Sequence, residues 1–259
     1  MVQFIILSLI IWILNLLVQQ VFPTENNFPF FIRTTLAATM IVSLFLGTKR
    51  LLLKNNISND ALGLSLSFKT LLNILFGSLL AVSVLVLTGS FIYVFVPFHF
   101  EMGSLSGINA EKHAISFFCT NTLEELIFRG FPLLVLSKVY GWRKAVYFLA
   151  LPFGLFHLYG LGLGIAVFKM VLTTAAYSFI FCYAYIVTDS LITAISVHWF
   201  SNVLLHIVIG MDGEGNAILQ PKFHGSWPTF DISFFAFLLS VVIVACLLFF
   251  AIGKRYNSK

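Results

Sequence analysis

The sequence predicts an all-α integral membrane protein: a bundle of about eight transmembrane helices with both termini in the cytoplasm. Three observations carry that reading. Hydrophobic residues make up 59% of the 259 positions and charged residues only 10%, and the mean hydropathy is +1.00. So little polar surface cannot coat a water-soluble domain. Apolar runs long enough to cross a bilayer recur along the whole chain. Finally, Lys and Arg gather in alternate connections between those runs.

The first run, 2–22, has no basic leader, and Gln19-Gln20-Val21-Phe22-Pro23 offers no small-residue cleavage site. It therefore reads as the first transmembrane helix, not as a signal peptide. Runs at 28–47 and 70–98 follow, the second overlong and expected to tilt or to extend past the surface. The fourth, 114–138, is the one that carries charge. The fifth, 144–159, is short and contains Pro152 and Gly154, which predicts a kinked or partly unwound helix. Gly160, Gly162 and Gly164 mark a tight turn before runs at 163–187, 190–210 and 231–253 complete the set. The chain reads as one polytopic domain over 1–259.

Lys49, Arg50, Lys54, Lys69, Lys138, Arg143, Lys144, Lys254, Arg255 and Lys259 lie on one side of this arrangement, against Arg33, Lys112 and Lys222 on the other. Ten against three places the first set, and both termini, in the cytoplasm. The net charge of +5 thus follows the membrane, and no basic patch is gathered for nucleic acid. Cys119, Cys182 and Cys246 are far apart in apolar runs, which reads as buried structural thiols ahead of a disulfide framework or a zinc site. His99, His113 and His224 fall in outer loops. Lys169 is expected to snorkel or to pair within the bundle.

Against this background Asn121-Thr-Leu-Glu-Glu-Leu-Ile-Phe-Arg129 stands out. Its charges lie about ten residues into the fourth run, hence about 15 Å deep, where each costs on the order of 3 kcal/mol. Glu125 and Arg129 are four apart with the acid first, so they share a face and can pair. Glu124 is rotated about 100° away and finds no partner in its own helix. His157 lies roughly 20 Å, and His198 roughly 13 Å, from the cytoplasmic side. Asn202 is one turn beyond His198, and His206 continues that stripe outward into what reads as a structural position.

A glutamate pair, a histidine and a His–Asn pair from three helices thus meet near one depth, where ionisable groups are functional candidates by default. The chemistry they support is hydrolysis. Glu124 can act as general base toward water. His157 and His198 can donate to a developing oxyanion or ligate a divalent metal such as zinc together with Glu124. Asn202 can orient His198 or donate to the oxyanion. Glu125 with Arg129 can fix the helix, or Arg129 can meet a substrate carboxylate. Buried Glu and His also build proton relays, so a small proton-coupled transporter is a competing reading. A third is a catalytically silent scaffold that keeps the motifs for packing alone.

Glu124-Glu125-x-x-x-Arg129, Phe153-x-x-x-His157 and His198-x-x-x-Asn202, in this order, resemble the three signature motifs of the CPBP family. These are the CAAX prenyl protease and bacteriocin-processing (Abi) intramembrane proteases. The resemblance covers about 114–210, the expected catalytic core. It implies an eight-helix bundle with a membrane-embedded active site in which Glu124 activates water and His157, His198 and Asn202 complete the site. It also implies an endopeptidase acting on a membrane-associated peptide or protein, with the bacterial inner membrane as its setting. Metal-dependent and metal-free routes both stay open, as does a bacteriocin-immunity or scaffolding role.

Overall fold

The computed structural model describes residues 2–22, 27–65, 67–103, 110–158, 164–210, 217–224 and 230–257. These form helices α1 (Val2–Val21), α2 (Asn27–Lys54), α3 (Phe68–Phe95), α4 (Ala110–Glu125), α5 (Phe131–Tyr140), α6 (Trp142–Phe156), α7 (Ile165–Thr188), α8 (Leu191–Val203) and α9 (Phe230–Asn257). A π-helical turn, Leu126–Gly130, joins α4 to α5 without a break, and a second, Leu204–Val208, extends α8. Eight continuous helical bodies result among the described residues, one for each apolar run. Five are long and apolar enough to cross a membrane: Phe28–Lys54, Phe68–Phe95, Ile165–Thr188, Leu191–Val208 and Asp231–Lys254. α6, with 15 residues, rises only about 22 Å. It runs through Pro152 and stops at Phe156, so the expected unwinding falls at its end, where His157 caps it.

The apolar surplus is spent in two places. Inside, a core centred on α7 and α8 buries Ile180, Phe181, Cys182, Ala184, Leu191, Ala194 and Val197. Outside, α3 and α9 present rows such as Leu71, Leu75, Leu79 and Leu239, Val242, Leu247, an apolar surface suited to lipid. Two glycines set how closely helices cross. A Cβ on Gly77 of α3 would lie 2.7 Å from the Thr193 carbonyl oxygen of α8. One on Gly154 of α6 would lie 2.5 Å from the Val171 carbonyl oxygen of α7. Close backbone approach through small residues is how helices pack in a bilayer.

The two ends of the bundle differ. At one, Lys138 donates to the carbonyls of Asn55 (2.9 Å) and Asn56 (3.1 Å), capping α2, and Ser190 donates to the Gly63 carbonyl at 2.9 Å. At the other, strands β1 (Phe98–Met102) and β2 (Leu219–Phe223) pair antiparallel, Phe98 opposite Phe223. The sequence reading expects plain loops there. Lys169 pairs with Asp231 at the start of α9, and His206 packs on the Phe117 ring at 5.4 Å.

Candidate active site

The π turn after Glu125 has a sequence cause. Pro132 has no N–H to return to the Phe128 carbonyl four residues back, and its ring crowds that carbonyl, so the helix widens before it continues. Arg129 sits on this wide turn with its guanidinium aimed inward.

Glu125 and Arg129 are both fully buried, and Arg129 Nη1 donates to Glu125 Oε1 at 3.2 Å. Nη2 donates to Ser178 Oγ at 2.6 Å and to the Ser178 carbonyl at 3.4 Å. The flat guanidinium lies over Phe153 (4.2 Å), Phe181 (5.0 Å) and Phe128 (5.7 Å), a cation–π cage that only a planar, weakly hydrated cation fills well. The same Glu125 oxygen accepts from His198 Nδ1 at 2.9 Å, and the His198 ring stacks on Phe181 with centroids 4.6 Å apart and planes 19° apart. Arg129 is therefore walled off from any substrate, which removes the expected alternative of a carboxylate contact. His198 is oriented by Glu125, whereas the sequence reading offered Asn202 for that task.

Glu124 points the other way. Its Oε2 lies 3.7 Å from His157 Nε2 and 3.8 Å from His198 Nε2, too far for direct hydrogen bonds, and it is buried without a hydrogen-bond partner. His157 Nδ1 faces the Phe153 carbonyl at 2.8 Å. A carbonyl only accepts, so this nitrogen carries the proton, and by the same logic so does His198 Nδ1 against Glu125. In their neutral forms both rings then turn an Nε2 lone pair toward the Glu124 carboxylate. Three acceptors converge on one spot, and water, with two O–H groups, can donate to Glu124 and to one ring. A ring protonated at Nε2 as well would donate from that nitrogen, which is the role read from sequence.

Asn202 Nδ2 donates to Asn121 Oδ1 at 3.1 Å. Both amides, with Glu124, His157 and His198, line a cavity of about 540 Å³. It follows one face of α4 through Asn121, Thr120, Phe117, Ser116 and His113 toward the end of the bundle that carries the strands, where Arg33 also lines it. The four expected catalytic side chains thus share one cavity, with Glu125 and Arg129 behind its wall. Sequence reasoning passed over Asn121, one turn before Glu124, and Ser178 and Phe181, which carry no motif. A second cavity of about 630 Å³, between α1, α5 and α6, is apolar apart from Ser8 and holds no titratable group.

Glu124, His157 and His198 are donor types that suit zinc. Among the described residues, however, no group of three or more His, Cys, Asp or Glu is placed to hold an ion.

Residues 112–204 match the family described as type II CAAX prenyl endopeptidase Rce1-like. The match contains all three motifs and bears out the resemblance read from them. No curated protein matches the chain.

Proposed function

We propose that this multi-pass membrane protein, Rce1-like over residues 112–204, is an intramembrane endopeptidase that cuts a membrane-associated peptide or protein with glutamate-activated water. The observation that carries the reading is the buried, unpartnered Glu124 Oε2 facing two imidazole nitrogens in one cavity. A structural ion-pair site would have spent this carboxylate on a cation, as Glu125 spends its own on Arg129.

Glu124 takes a proton from water held between it and the Nε2 of His157 or His198. The hydroxide oxygen bonds to the scissile carbonyl carbon, and the carbonyl π electrons move onto its oxygen. As the oxyanion collapses, the C–N bond breaks and Glu124 returns its proton to the leaving nitrogen, giving a carboxylic acid and an amine, which then exchange a proton to become carboxylate and ammonium. His198 keeps its tautomer through Glu125, and Glu125 keeps its position through Arg129. The catalytic core is assigned to 114–210 and the working environment to a bacterial inner membrane.

The test uses protein purified in detergent and two probes: a fluorogenic farnesylated CAAX peptide and a peptide library read by mass spectrometry. Wild type is expected to cut at least one probe, and Glu124→Gln neither, at equal yield of folded protein. Wild type that cuts neither, or Glu124→Gln that cuts like wild type, overturns the reading.

A further inference from the structure

We propose that the groove between α7 and α9 binds substrate, holding an extended apolar stretch of the cleaved polypeptide on one side of the scissile bond. The proposal rests on the hydrolytic reading above and deepens it.

The groove has a volume of about 360 Å³. From α7 it is lined by Ala166, Met170 and Thr173, and from α9 by Ser233, Phe234 and Phe237. Two of these residues, Thr173 and Phe237, also line the catalytic cavity, so the two spaces meet there. Phe237 is half-buried and sets its ring edge-on to Tyr177 of the cavity wall, with centroids 5.4 Å apart. Toward the start of both helices Lys169 pairs with Asp231 and lies 5.5 Å from the Phe234 ring centroid, which ties α7 to α9.

One face of α7 serves both spaces. Ala166, Met170, Thr173, Tyr177 and Phe181 are spaced by four, three, four and four residues, a single helical stripe. The first three line the groove and the last three the cavity. Phe181, at the deep end, carries the stacked His198 ring. The whole stripe rises about 22 Å, the length of about seven extended residues, and its part from Phe181 to Thr173 takes about four of them. A polypeptide held at Glu124 and laid along this face therefore leaves the cavity at Thr173 and Phe237 and enters the groove.

The lining points to a peptide as the occupant. Lipid is as apolar as the groove, so an acyl chain gains little by leaving the bilayer for it. An extended backbone instead carries N–H and C=O groups that need partners at this depth. The Thr173 hydroxyl donates to the Met170 carbonyl at 2.9 Å and keeps lone pairs that accept an N–H. Ser233 adds a second hydroxyl to the lining. Met170 supplies a flexible apolar contact that adapts to side chains of different shape.

The test takes the best-cut library peptide as a core of about four residues on each side of the cut, and as that core extended on one side or the other to about eight apolar residues. One extension is expected to raise kcat/KM about tenfold or more, the low end of what one apolar group contributes to discrimination. In Ala166→Trp and Ser233→Trp, whose indoles fill the groove, that gain falls to about twofold or less. Leu239→Trp, on the lipid-facing row of α9, retains it. Benzoylphenylalanine within the extension, irradiated on Glu124→Gln, is expected to label α7 within 166–173 or α9 within 233–237, and this labelling decides where a Trp variant does not fold. Equal rates for all lengths, a gain that both Trp variants keep, or labels confined to other helices overturn the groove while leaving the hydrolytic reading intact. So does a photoreactive phosphatidylcholine that labels the groove and is not displaced by the extended peptide. Wild type that cuts no library peptide, or Glu124→Gln that cuts like wild type, removes that reading and this proposal with it.

Discussion

Glu125 Oε1 lies 3.2 Å from Arg129 Nη1 and 2.9 Å from His198 Nδ1. One carboxylate oxygen thus ties the wide turn of the fourth helical body to α8. The neighbouring Glu124, one residue away and rotated by a helical step, makes no such tie. Two adjacent acids of one sequence motif therefore divide into a structural anchor and a carboxylate that faces the cavity.

That division predicts opposite phenotypes for two near-isosteric changes. Glu125→Gln leaves Arg129 without its counter-charge in a fully buried site and should cost about 3–5 kcal/mol, read as a lowered melting temperature and reduced folded yield by size-exclusion in detergent. Glu124→Gln should melt like wild type and show no turnover. Equal folded yields and melting temperatures for the two would refute it.

Arg129→Lys should be far from conservative. A lysine cannot hold Glu125 and Ser178 with a planar fork while stacking among Phe128, Phe153 and Phe181. We expect destabilisation of about 2–4 kcal/mol, within the range for breaking a buried charge network. Ser178→Ala removes the 2.6 Å bond to the same cation and should cost about 1.5–3 kcal/mol, lessened by the Ser178 carbonyl that remains. Thermal unfolding of both variants checks the order.

Phe181→Leu removes the ring stacked on His198 and one wall of the Arg129 cage. Turnover should fall about tenfold or more, as expected when a positioning contact in a preorganised site is loosened. Substrate affinity should change less, which steady-state kinetics would show as a loss in kcat.

Gly154→Ala tests the link between packing and chemistry. The new methyl would press on the Val171 carbonyl, push α6 from α7 and cost about 1–3 kcal/mol by overpacking. Because His157 caps α6, activity at a temperature where the variant is fully folded should also drop. Full activity there would uncouple the crossing from the site.

Much of this was legible in the chain. Each apolar run became a helical body because burial in lipid leaves backbone amides no other partner. The Glu125–Arg129 pair followed from spacing within one helix, and the shared depth of Glu124, His157, His198 and Asn202 from counting turns. What stayed hidden depends on how helices rotate against each other. Ser178 and Phe181 reach Arg129 and His198 across helix contacts that no periodicity encodes. The bond of Asn202 to Asn121, in place of His198, depends on the rotation of α8 against α4. The short pairing of β1 with β2 joins segments more than a hundred residues apart, beyond the reach of local pattern. Three bodies, those of α1, α4 with α5, and α6, lie outside the five long apolar spans. In the second, the charges that build the site also dilute its hydropathy.

The narrow cavity has a consequence for what can be cut. From His113 to Glu124 it follows α4 for about 16 Å in a volume of about 540 Å³. An extended strand of about five residues spans that length. If the proposed cleavage takes its target in that form, a transmembrane target unwinds first, at a cost set by its own helix propensity. Glycine or proline near the cleaved bond would lower that cost by about 1–3 kcal/mol each. Selection among substrates would then depend on how readily a segment melts, ahead of any fit between its side chains and a pocket.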